Sequence, residues 1–258
     1  MSQTWLKTKL LLLTLLLAAC STQPRVPMTA AKQTFDAVSQ PAADMRQRAD
    51  AKLGTQWGEG VASNVTQVDL RRATKEPEAV VSLRYAAKVG QGRALKELSL
   101  ANGRIGMAVL DGNNRKMTLV QSAAGVALEG KNGERYQLRY QNHSNKTYAI
   151  LATVDGLDVM NGQPGSFNSG GYVLPPYGSL TIEGFRKSDS EVAAFRFSTV
   201  NNAYVANTPA GNVANVGLIG TAVFELYDPK AKRQAVPPSQ GSAFPNQPGY
   251  APAPSYRD

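Results

Sequence analysis

The sequence predicts a mainly β protein: an antiparallel β-sandwich with a short helical region before it and a disordered tail after it. Three observations lead there. Beyond residue 60 the chain falls into ten short runs rich in β-branched and aromatic residues and punctuated by Gly, Asn and Asp. They lie at 79–86, 105–110, 116–121, 126–130, 135–141, 148–154, 171–174, 179–185, 192–198 and 216–227, and they read as strands joined by turns. Ten strands in about 150 residues is the spacing of a sandwich or barrel. Along 135–141, Tyr136, Leu138 and Tyr140 alternate with Arg135, Gln137, Arg139 and Gln141, which gives a strand one buried and one solvated face. No repeat of fixed period runs through the chain, which disfavours propellers and solenoids.

Taken from the N-terminus, residues 1–19 read as an export signal. Lys7 and Lys9 precede ten residues in which Thr14 alone is polar. At ~1.5 Å rise per residue this helix is far shorter than the ~30 Å hydrocarbon core, so it is a cleavable segment and not a permanent span. Residues 20–29 carry two prolines and no periodic pattern, as a flexible stalk would. Residues 30–60 form the short helical region: Pro41 fits an early turn of a second helix and Gly54 its end, over a thin apolar face of Phe35, Val38, Met45 and Leu53.

The sandwich occupies 61–228. Asn132-Gly133 predicts a two-residue hairpin, since both residues tolerate positive φ, and Asp111-Gly112-Asn113-Asn114 predicts another. The run from Gly217 to Phe224 is almost uninterruptedly apolar and carries glycines that admit a close neighbour, which places it at the centre of a sheet. In 229–258 seven of thirty residues are proline and the only large hydrophobes are Phe244, Tyr250 and Tyr256. Such a tail cannot bury enough apolar surface to offset its ordering entropy, and it reads as a docking peptide, a spacer or an inert terminus.

Leu17-Ala18-Ala19-Cys20 resembles the lipobox of bacterial lipoproteins, and Cys20 is the only cysteine. The resemblance implies a diacylglycerol on the Cys20 thiol, cleavage before it and acylation of the new amine. Two or three acyl chains exceed the two-signal threshold for stable membrane attachment. In that family a residue other than Asp after the cysteine directs the protein to the outer membrane of a Gram-negative cell, and here it is Ser21.

A second resemblance covers about ninety residues. The segments Val154-Asp155-Gly156-Leu157-Asp158-Val159, Gly171-Tyr172-Val173-Leu174-Pro175-Pro176, Ile182-Glu183-Gly184-Phe185-Arg186-Lys187-Ser188, Glu191-Val192-Ala193-Ala194-Phe195-Arg196-Phe197 and Asn215-Val216-Gly217-Leu218-Ile219-Gly220 resemble an uncharacterised bacterial envelope β-domain. It implies a domain and brings no activity with it; relatives often have Trp where this chain has Phe185.

Composition narrows the chemistry. The chain has 258 residues and a net charge of +9; loss of residues 1–19 takes Lys7 and Lys9 with it and leaves 26 basic against 19 acidic residues. One cysteine and one histidine exclude a disulfide framework, a cysteine-rich zinc site and a multi-histidine metal centre. The cations are scattered, as in Arg71-Arg72, Arg84, Arg93 and Arg115-Lys116, without the basic stripe and stacking aromatics of a nucleic-acid surface. Attraction to an anionic envelope glycan is the better use of the surplus. His143 sits in a polar loop, and neither a Gly-x-Ser-x-Gly elbow nor a Walker loop occurs.

Four residues are candidates for ligand binding. Asp155 and Asp158 would supply oxygens to a calcium ion if they converged, or would serve a turn by bonding nearby amides. Arg186 and Lys187 would bind a phosphate or carboxylate, or would pair with neighbouring acids in a solvated hairpin. No catalytic residue, metal ligand or cofactor is assigned. The reading is a lipid-anchored outer-membrane lipoprotein acting as a non-catalytic interaction or accessory module, partnered by the membrane through its acyl chains and by an envelope protein or anionic glycan. The rivals are an envelope hydrolase or glycan-modifying enzyme using Asp155, Asp158 and Glu191, and a calcium-stabilised adhesin-like domain.

Overall fold

The structure, a computed structural model, describes residues 51–227. The signal segment, Cys20, the stalk, most of the expected helical region and the Pro-rich tail lie outside them.

Sixteen strands are present among the described residues. In chain order they are β1 (Gly54–Ala62), β2 (Arg71–Arg72), β3 (Ala79–Ala86), β4 (Arg93–Leu95), β5 (Leu98–Leu100), β6 (Ile105–Asp111), β7 (Leu119–Ser122) and β8 (Gly125–Glu129). Then follow β9 (Arg135–Asn142), β10 (Thr147–Val154), β11 (Leu157–Asp158), β12 (Tyr172–Leu174), β13 (Ser179–Ile182), β14 (Gly184–Arg186), β15 (Glu191–Ser198) and β16 (Leu218–Tyr227). They make two sheets. The first runs β1-β15-β9-β6-β5, with β13 on β9 and β14 on β15; the second runs β11-β10-β16-β3-β8-β7-β4, with β12 on β10 and β2 on β16. Short 3-10 turns at Val200–Asn202, Tyr204–Ala206 and Val213–Asn215 link β15 to β16.

The protein is thus mainly β, and every run expected to be a strand contains one. The run 179–185 is divided at Glu183, because β13 pairs with β9 whereas β14 pairs with β15. As its apolar sequence requires, β16 lies inside its sheet, between β10 and β3. The alternation along β9 holds for Tyr136, Leu138 and Tyr140, fully buried, and for Arg135, Arg139 and Gln141, half-exposed, but Gln137, expected on the solvated face, is buried at 4% exposure.

Three expectations need correction. The segment 54–60, assigned to the helical region, is strand: β1 pairs antiparallel with β15 around a bulge between Trp57 and Gly60. Its three glycines obscure the alternation, yet they suit the site, since a Cβ on Gly58 would stand 2.5 Å from the Ala194 carbonyl oxygen. The sandwich is not wholly antiparallel, for β3 and β8 pair in parallel. Asn132-Gly133 is not a hairpin either. It carries the chain from β8 in one sheet to β9 in the other, only Gly133 has positive φ (84°), and its N–H donates to the Phe197 carbonyl at 2.7 Å. A two-residue type I′ hairpin needs both central residues at positive φ and paired flanking strands. Asp155-Gly156 meets that demand, at φ 52° and 80° between β10 and β11. At Asp111 the chain does turn back, with Asp111 N–H donating to Arg115 O and Met117 N–H to Val109 O, but only a single Leu110–Lys116 bridge forms before the chain crosses from β6 in the first sheet to β7 in the second.

The inner faces of both sheets share one core. Tyr136, Tyr140, Phe195 and Phe197 from the first sheet meet Leu83, Tyr85, Ile150 and Val223 from the second, all at 2% exposure or less. Burying each such side chain contributes roughly 1.5–3 kcal/mol. Polar groups cross the gap in pairs: the Tyr140 and Thr221 hydroxyls lie 2.7 Å apart.

Candidate functional site

Asp155 is 1% exposed and points into the core. Its Oδ2 accepts from Thr55 N–H at 2.8 Å, and its Oδ1 accepts from Gly217 N–H at 2.8 Å and from the Tyr85 hydroxyl at 2.6 Å. The Thr55 hydroxyl lies 2.7 Å from that of Tyr85 and 2.6 Å from that of Tyr136. A four-member polar chain therefore ties the β10–β11 turn to β1, β3 and β9. Burial pushes the Asp155 carboxyl above its ordinary range, against the hydrogen bonds from Tyr85, Thr55 and Gly217 that pull it down. Burial likewise pushes the Tyr85 and Tyr136 phenols up.

The other sequence candidates are held separately. Asp158 Oδ1 accepts from the Met160 N–H at 2.8 Å, a local turn. All three Arg186 nitrogens are engaged: Nε donates to the Tyr172 hydroxyl at 3.0 Å, Nη1 to Ser63 O at 2.6 Å and Nη2 to Ser63 Oγ at 3.0 Å. Lys187 pairs with Glu191 at 2.7 Å across the β14–β15 turn. Asp155 and Asp158 flank one turn but serve different partners, and among the described residues no group of three His, Cys, Asp or Glu side chains converges as a metal would need. His143 is on the surface, its Nε2 3.9 Å from Glu97 Oε1.

The structure instead presents a groove of about 370 Å³ on the outer face of the second sheet, within the size range of ligand pockets. Strand register lays out its floor. Leu151, Ala222 and Val80 form one row across β10, β16 and β3, and Thr153, Gly220 and Ser82 form the next. Leu218 follows beside Arg84. Gly220 leaves the centre of the second row empty: a Cβ there would stand 2.4 Å from Thr153 Oγ1. Phe167, 51% exposed, stands as a wall over this floor. Its segment is tied down by Arg72, which donates to the Phe167 and Ser169 carbonyls while its guanidinium lies 3.8 Å from the Phe224 ring centre.

Four polar residues line this groove, Thr153, Ser82, Asn215 and Asp158, and of their side chains only that of Asp158, through Oδ1, is hydrogen-bonded to protein among the described residues. Asp158, 4% exposed, is a buried carboxylate that lines the groove. Ser82 is exposed and Thr153 and Asn215 are half-buried, so these three side chains are open to a ligand's hydroxyls or amines beside the buried Asp158. Of the sequence candidates only Asp158 belongs to this site. Ser82, Thr153, Asn215 and Phe167 were missed, although the outward parity of Val80, Ser82 and Arg84 on β3 is readable from alternation alone.

No family model, no curated protein and no solved structure matches this chain.

Proposed function

We propose that the chain is a lipid-anchored outer-membrane lipoprotein whose β-sandwich acts as a non-catalytic interaction module of the cell envelope. Cys20 carries the acyl chains, on the strength of the Leu17-Ala18-Ala19-Cys20 run and the short apolar segment before it. The observation that favours a binding module over a hydrolase is the fate of the three acids. Asp155 is bonded inside the core, Glu191 is paired with Lys187, and Asp158 alone reaches the groove. Hydrolysis by paired carboxylates needs two of them facing one cleft about 5–9.5 Å apart. A calcium-stabilised domain lacks support for the same reason, since Asp155 has its oxygens committed to three donors.

The test is the maturation of the native protein. Mass spectrometry of material extracted from envelopes is expected to find acylated Cys20 at the N-terminus, and Cys20→Ala is expected to accumulate as an unprocessed precursor. A bare thiol in a water-soluble chain would overturn the placement. Crosslinking in intact envelopes then reports what the sandwich touches.

A further inference from the structure

We propose that the groove over Gly220 binds a single pyranose unit bearing a carboxylate, as part of an acidic envelope glycan. The proposal rests on the interaction-module reading above and names the ligand of its site.

A pyranose presents one face of C–H bonds and a rim of hydroxyls, and the groove is divided in the same way. Its apolar surfaces are Phe167, whose ring is half-exposed, and the row Leu151, Ala222 and Val80. Aromatic faces favour C–H bonds, whose hydrogens are weakly positive. Its polar rim is Thr153, Ser82, Asn215 and Asp158, of which only Asp158 has a side-chain hydrogen bond to protein among the described residues. Together they offer two hydroxyls, an amide and an acceptor-only carboxylate oxygen, a set that suits hydroxyls able both to donate and to accept.

The rim also excludes rivals. A fatty acyl chain would lie well on Leu151, Ala222 and Val80, but it would strip water from four polar groups and return nothing to them. A peptide strand would need a free sheet edge, whereas the floor is the face of three hydrogen-bonded strands. The volume of about 370 Å³ accommodates one ring with its substituents.

Arg84 supplies the anionic preference. It follows Ser82 on the same face of β3, is paired in register with Leu218 of the groove floor, is exposed, and has no ion-pair partner among the described residues. A planar guanidinium at that margin would take a carboxylate in a bidentate pair. The net positive charge of the mature chain adds long-range attraction to a polyanion.

The experiment uses the acylated chain in detergent micelles. Saturation-transfer NMR and titration calorimetry are run with three probes: a methyl glycoside of a neutral hexose, the corresponding methyl uronoside, and octanoate. Both glycosides are expected to bind, the uronoside about threefold tighter at low salt and with that margin lost at high salt. Phe167→Ala, an exposed position, is expected to weaken both glycosides at least tenfold without changing the melting temperature. Ser82→Leu should fill the hollow and abolish binding, and Arg84→Gln should erase the preference for the uronoside while leaving the neutral glycoside unchanged. Binding of octanoate in place of the glycosides, or glycoside binding indifferent to Phe167→Ala and Ser82→Leu, would overturn the proposal. Such a failure in a protein still acylated at Cys20 leaves the interaction-module reading standing. Release of new reducing ends from a glycan would instead overturn the non-catalytic reading and keep the ligand.

Discussion

Replacing Asp155 by Ala tests the polar chain that pins β1 to the second sheet. The substitution removes the acceptor from Thr55 N–H, Gly217 N–H and the Tyr85 hydroxyl, all buried. Each orphaned donor costs about 1 kcal/mol at the low end of its range. Asp155 also has φ 52°, where alanine is strained by about 1 kcal/mol relative to residues that bond locally in that region. The expected loss is therefore about 4 kcal/mol, a large share of the ~5–15 kcal/mol that holds a domain together. The control is Asp158→Ala, which removes one local bond to Met160 N–H and is expected to cost about 1 kcal/mol. Urea unfolding of the chain from residue 20 onward reads the difference through Trp57, its only tryptophan, which lies on β1 two residues from Thr55. With a slope of about 1–3 kcal/mol/M, the midpoint of Asp155→Ala should fall by roughly 2 M. Equal midpoints for the two variants would refute the pinning role.

Three further outcomes follow from the same geometry. Burial holds the Asp155 carboxyl above its ordinary 3.8, so between that value and the raised one the native state holds the proton more tightly than the unfolded chain. Its stabilising contribution is fully present below about 3.8 and is lost as pH rises through the folded value; the stability of the wild type relative to Asp155→Asn should decline from pH 4 to 7, and a gap that widens with pH is incompatible with it. Thr55→Val leaves the Tyr136 hydroxyl without its partner and is expected to cost about 1–3 kcal/mol in urea unfolding, part of it recovered when Tyr136→Phe is added, whereas simple additivity would disprove the link. Gly184→Ala places a Cβ 1.9 Å from the Ala193 carbonyl oxygen, while at Gly90 nothing lies within 4 Å; thermal melting should show a loss of at least ~2 kcal/mol for the first and almost none for Gly90→Ala.

The strands were legible because each announces itself locally. Runs such as 79–86 and 135–141 match β3 and β9 almost to the residue, since β-branched and aromatic content and a period of two are properties of the run itself. Glycine-rich β1 and the short β4, β5 and β11 carry too little of that signal. At Asn132-Gly133 the local preference is honoured only in part: the residues make a turn, but whether a turn returns the chain to the same sheet depends on what the following strand pairs with, and β9 finds β6, β13 and β15.

Asp155 shows the same division at a single residue. Its place in a turn is readable from Asp-Gly, yet its partners Thr55 and Gly217 lie 100 and 62 residues away in sequence. By itself the sequence determined the β class, most strand positions and the centrality of β16, all of which are written in short-range composition. Only the tertiary structure decided which strands adjoin, and therefore that Thr153, Gly220 and Ser82 share a row and hollow out a groove. Sheet register is a sum of long-range packing terms that no local stretch encodes.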